Sequence, residues 1–109
     1  MVELKVKNTS EVDKKFHIEI EEFCNHKVEY FNELFKNYSK NLTLEVIFDH
    51  SSALYKISAA LDLKSKKVLL VEEGKEVMNT LHTLCNRFKK AVKKQYEFEK
   101  KEYEYKRKR

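Results

Sequence analysis

The chain has 109 residues, 41% hydrophobic and 38% charged, with a formal net charge of +5. That length leaves room for one domain and little else, built on a single sheet-and-helix core. One glycine and no proline exclude a glycine-rich phosphate loop and favour long, uninterrupted elements.

The elements follow in chain order from their periodicities. Val2, Leu4 and Val6 alternate with Glu3, Lys5 and Lys7, the period-two mark of a half-buried strand. Asn8-Thr9-Ser10 breaks the alternation, and Ser10 followed by Asp13 predicts a capped helix start. Phe16, Ile20, Phe23, Cys24, Phe31, Leu34, Phe35 and Tyr38 recur at three and four residues, so this helix is expected to run to about Tyr38. Leu42, Leu44, Val46 and Phe48 predict a second strand, and Asp49-His50-Ser51-Ser52 a turn. Tyr55, Ile57, Ala59 and Leu61 predict a third strand, Lys64-Ser65-Lys66-Lys67 a turn, and Val68-Leu69-Leu70-Val71 a fourth strand. Gly74 marks the start of a last helix whose buried stripe is Val77, Met78, Leu81, Leu84, Cys85, Phe88, Ala91 and Val92. Past Gln95 the composition turns to Tyr, Glu, Lys and Arg, read as a solvated helical extension or a disordered tail.

The resulting order is β-α-β-β-β-α. Its simplest packing is an α+β fold, a four-stranded sheet with both helices on one face. Thr43, Glu45, Lys56 and Ser58 would face water on the other side. Residues 1–95 form the expected domain and residues 96–109 a basic, aromatic extension.

Charge is distributed unevenly. Residues 86–109 carry 11 of the 23 Lys and Arg but 4 of the 18 Asp and Glu, a local balance of +7 against −2 for the remainder. Such a block attracts phosphate, most densely supplied by nucleic acid. On the last helix, Arg87, Lys90 and Lys94 fall at spacings of three and four and share a face, with Lys89 and Lys93 as a second row. A ladder of this kind can follow a phosphate backbone with little sequence preference, or serve only as a solvated face. The tail interleaves Tyr96, Phe98, Tyr103 and Tyr105 with charge and ends in Lys106, Arg107, Lys108 and Arg109; exposed rings there could stack on unpaired bases, or a frayed helix end could lay them along the sheet edge.

Other chemistries find less support. His17, His26, His50 and His82 show no metal-ligand spacing, and Glu72 and Glu73 are adjacent in a strand and point to opposite faces. No catalytic role, cofactor, metal or small-molecule substrate is expected. Cys24 and Cys85 sit among apolar residues at helical spacing, as buried free thiols in a reducing compartment do. No stretch approaches ~18 apolar residues, and the N-terminus lacks a signal peptide's order, so a soluble, cytoplasmic protein without a membrane partner is expected.

The stretch Glu73-Gly74-Lys75-Glu76-Val77-Met78, followed by Leu81 and His82, resembles the ribosome hibernation promoting factor family of ribosome-associated translation inhibitors. Glu76 stands at the family's Asp, Met78 at its aromatic, Leu81 at its Ile and His82 at its second Asp. Arg87, Phe88, Lys90, Val92 and Lys94 match its Lys, Leu, Arg, Leu and Lys without a gap, and Lys27 with Tyr30-Phe31 resembles its first-helix segment. The resemblance implies a double-stranded-RNA-binding-like fold. It also implies docking as a monomer in the decoding cleft of the small ribosomal subunit, on rRNA phosphates, where mRNA and the A- and P-site tRNAs would lie. The implied outcome is inhibition of translation in dormant or stressed cells, by the short form that lacks a dimerisation domain. Lys27, Arg87, Lys89, Lys90, Lys93 and Lys94 become the expected rRNA contacts, with Lys106 to Arg109 as tail contacts. A generic double-stranded-RNA binder, or an adaptor gripping an acidic partner, is the alternative expectation.

Overall fold

The computed structural model describes the backbone of residues 1–107 and the side chains of residues 1–101. Strand β1 (Val2–Lys7) leads through two short 3-10 turns into helix α1 (His17–Leu34). Strands β2 (Leu42–Ser51), β3 (Leu54–Asp62) and β4 (Lys67–Gly74) follow, then helix α2 (Val77–Arg107). The sheet order is β1-β2-β3-β4. β1 and β2 are parallel, which the crossover through α1 makes possible, and the two hairpins make the other pairs antiparallel. The expected α+β architecture is therefore the observed one.

Period-two alternation sends Leu44, Val46, Phe48, Ile57, Ala59, Leu61 and Val68 to one face of the sheet, where they are buried. They join Ile20, Cys24, Phe31 and Phe35 from α1 and its end, and Leu81, Leu84, Phe88 and Val92 from α2, in one hydrophobic cluster. Phe31 joins the two helices, packing edge-on against Phe88 at 5.9 Å between ring centroids. On the other face Thr43 and Lys56 are exposed as expected, and Glu45 and Ser58 half-buried. Leu69 and Val71 also lie there, because the apolar run of β4 alternates like the rest.

Three local expectations are corrected. Ser10 caps no helix. Asn8 adopts a left-handed conformation (φ 62°), and Asp13 caps the second 3-10 turn by accepting from the Lys15 N–H at 3.1 Å. α1 proper then begins at His17, whose Nε2–H donates to the Val12 carbonyl at 2.8 Å. α1 also ends at Leu34 rather than Tyr38. Past that point the chain turns, and the Phe35 and Tyr38 rings swing onto Tyr96, 4.6 and 5.4 Å away. Finally, Gly74 closes β4 instead of opening the helix. A Cβ there would collide with Thr80 Oγ1 of the first turn of α2, so the absent side chain is what lets strand and helix meet.

At the C-terminal end α2 continues through Gln95 without a break, the helical one of the two expected forms, and Tyr96 is not a base-stacking candidate on the surface but only 8% exposed and part of the core. One turn on, Glu99 fastens the helix to two loops. Its carboxylate accepts from the Tyr38 hydroxyl at 2.6 Å, from the Ser65 N–H at 3.1 Å and from the Ser65 hydroxyl. Tyr38 in turn accepts from the Lys64 N–H at 2.8 Å, and Gln95 donates to Ser65 Oγ at 2.8 Å.

Candidate nucleic-acid interface

The buried stripe of α2 faces the sheet, so its cations occupy what is left of the helix. At 100° per residue, the positions from Lys89 through Lys93, Lys90 and Lys94 to Arg87 sweep an arc of roughly 160°. They do not form two separate rows but one continuous surface with two distinct flanks.

The flank towards α1 is built from both helices. Lys89 is half-buried and holds its ammonium 4.4 Å from the Tyr30 ring centroid on α1. Lys27, one turn earlier on α1, holds its ammonium 4.7 Å from the Phe23 ring, and that ring also stacks on His82 of α2 at 4.4 Å. Lys27 and Lys89 both border the small apolar cavity of about 10 Å³ lined by Cys24, Cys85, Phe31 and Phe88. Both lysines thus lie along the seam between the helices. Beside them Tyr30, Asn86, Lys89, Lys90 and Lys93 enclose an open depression of about 360 Å³. The two rings hold the ammonium groups of Lys27 and Lys89, so those two lysines are partly ordered before any ligand arrives.

The flank towards the sheet differs. Arg87 reaches across to β4 and pairs with the Glu72 carboxylate. Lys94 borders an open groove with Lys66, Lys67 and Phe98. Arg87 is therefore partly neutralised, whereas Lys27, Lys89, Lys90 and Lys93 make no ion pair among the described residues. The expected trio of Arg87, Lys90 and Lys94 is present on α2, but the concave part of the surface is lined by Lys89, Lys90 and Lys93, with Lys27 beside Lys89 at the helix seam. Tyr30 and Asn86 belong to it as well. Neither was expected as a contact, since only the packing of α1 against α2 places them beside the lysines. Lys106 and Arg107 fall in the last turn of α2, their side chains outside the described residues, as are Lys108 and Arg109 entirely. Tyr103 and Tyr105 likewise fall in α2 with side chains that are not described.

The thiols beneath the seam are poor nucleophiles. Burial pushes Cys24 up to about 12, with a smaller contribution from neighbouring Cys85. Burial also pushes Cys85 up to about 11, against the opposing charges of Lys27 and Lys89. Both are packing residues at neutral pH. No group of three or more potential metal ligands occurs among the described residues. No described helix is long and apolar enough to cross a membrane.

No protein-family model and no curated protein matches the chain.

Proposed function

We propose that the chain binds RNA phosphates through the α1–α2 face, and that its target is the decoding cleft of the small ribosomal subunit. There it would block mRNA and tRNA binding and hold ribosomes inactive. The observation that carries RNA binding is the depression lined by Lys89, Lys90 and Lys93 of α2 with Tyr30 of α1, extended onto α1 by Lys27, which shares the helix seam with Lys89. Cations spread over two packed helices present a fixed pattern, suited to the folded backbone of a structured RNA. An acidic polypeptide would need no such spacing. The ribosomal target rests on the resemblance of Glu73–Met78 and of the Arg87–Lys94 run to the hibernation factor family. Occlusion of the decoding sites requires no covalent step.

The test is a charge reversal, Lys89→Glu with Lys90→Glu and Lys93→Glu. All three side chains reach solvent, so the fold should survive, as circular dichroism would verify. Co-sedimentation with vacant small subunits should be lost in the triple variant and kept by the unaltered chain. Equal affinity of the unaltered chain for free duplex RNA would favour a generic duplex binder instead. Binding that survives nuclease treatment would favour the acidic-partner adaptor.

A further inference from the structure

The two edges of the sheet are finished differently. β1 is six residues long, places Glu3, Lys5 and Lys7 on its outer side, and is engaged by Asn32 of α1. The Asn32 side chain accepts from the Val2 N–H at 2.7 Å and donates to the Val2 carbonyl at 3.4 Å. Among the described residues β4 has no such cover. It pairs with β3 over eight consecutive residues, Lys67 to Gly74, without a bulge, and no described strand lies on its other side. It contains no proline, and Leu69 and Val71 on the open face of the sheet are 55% and 41% exposed. A long, regular, apolar edge is a template for another strand.

We infer that β4 pairs with β4 of a second copy of this chain, antiparallel, about a two-fold axis through Leu70. A strand that pairs with itself by a two-fold axis sets residues of the same face opposite one another. Centred on Leu70, the register places Lys67 opposite Glu73 and Leu69 opposite Val71, and the symmetry makes each pair twice. Centring on Leu69 would set Lys67 against Val71, and centring on Val71 would set Leu69 against Glu73. On the open face of the sheet only the Leu70 register matches charge with charge and apolar with apolar; on the helix side it sets Val68 against Glu72, whose charge Arg87 offsets.

The complementarity continues beyond the joint. Within the chain Asp62 already lies opposite Lys67, and Lys56 opposite Glu73. Across the paired strands the row reads Asp62, Lys67, then Glu73 and Lys56 of the second copy, alternating in sign. The next row sets Ala60 and Leu69 against Val71 and Ser58 of the second copy. Opposing this, the symmetry brings the Lys94 flanks of the two α2 helices to the same side of the sheet, with Arg87 offset by Glu72. One strand pair buries less than the area of a stable dimer, so the association is weak and reversible. It leaves Lys27, Lys89 and Lys93 open, because they lie on the α1 side of α2.

Sedimentation equilibrium of the full chain without RNA tests the inference. A monomer–dimer equilibrium is expected. Lys67→Glu or Glu73→Lys should each weaken it about tenfold, since each creates two like-charge pairs. The double exchange, Lys67→Glu with Glu73→Lys, made together with Asp62→Lys and Lys56→Glu so that the pairs with β3 keep opposite charge, should restore it. Val71→Lys, at an exposed site the fold tolerates, should abolish association, whereas Ile18→Lys, exposed on α1, should leave it unchanged. A chain that stays monomeric at every accessible concentration would overturn the inference. So would a double exchange that associates no better than the single variants.

Discussion

Gly74 shows how one missing side chain sets the relation between sheet and helix. Any Cβ there meets the Thr80 hydroxyl, itself buried and donating to the Glu76 carbonyl at 2.7 Å. Gly74→Ala should therefore cost about 1–3 kcal/mol, read from the urea midpoint, as overpacking does. Combined with Thr80→Ala, which vacates the space, the loss should be smaller than the sum of the two single losses. The sequence marks Gly74 as a boundary but does not show on which side of it the helix begins, because its close approach to Thr80 exists only once β4 and α2 pack. The cationic residues follow the same rule. Lys89, Lys90 and Lys93 could be placed on the exposed side of a helix from spacing alone. Their association with Lys27 and Tyr30 could not, since it depends on how α1 crosses α2.

At the scale of the elements, the C-terminal half of α2 is held by side chains that sequence periodicity does not reveal. The apolar stripe ends near Val92, and Tyr96 looks like one more aromatic in a charged tail. Its burial depends on the turn after Leu34 that delivers Phe35 and Tyr38 to it. Glu99 then ties α2 to the β3–β4 turn. Burial would raise its carboxyl, but hydrogen bonds from Ser65 and Tyr38, with the charge of Lys64, outweigh that and hold it below the ordinary carboxylate value. A depressed carboxyl stabilises the fold above its unfolded pKa and loses that contribution as pH falls through the folded value. Tyr38 behaves oppositely. Burial, followed by its bond to Glu99, pushes it up to about 12, so its contribution is present below pH 10 and is lost as pH rises through about 12. Glu99→Gln should cost about 1 kcal/mol at neutral pH, a figure discounted for the solvent around this surface cluster. Thermal melts across pH should show the variant less sensitive to acid than the parent. Equal acid sensitivity would mean that the carboxylate does not hold the helix.

Over the whole molecule, the alternation of four short segments and two helical stripes made the β-α-β-β-β-α order and the α+β class readable. Each apolar residue type in those segments has one face to go to, and the sheet needs a helical cover on that face alone. The limits of α1 were not readable, since Phe16, Phe35 and Tyr38 continue the helical period while lying in turns that also face the core. The apolar run of β4 hid its exposed pair, Leu69 and Val71, for a related reason. A run of four apolar residues carries no visible alternation.

Charge is organised at this scale too. The cations concentrate on the exposed arc of α2, and Lys27 extends that surface onto α1. A ligand bound there by phosphate should release counterions in proportion to the contacts made. The most direct measurement is the affinity of the chain for vacant small ribosomal subunits, titrated over a series of salt concentrations. With four to five phosphates neutralised, log affinity should fall linearly against log salt with a slope of roughly −3 to −4.5. The Lys89→Glu, Lys90→Glu, Lys93→Glu variant should show no saturable binding. A chain that does not bind small subunits at low salt, or whose affinity is indifferent to salt, would contradict the account.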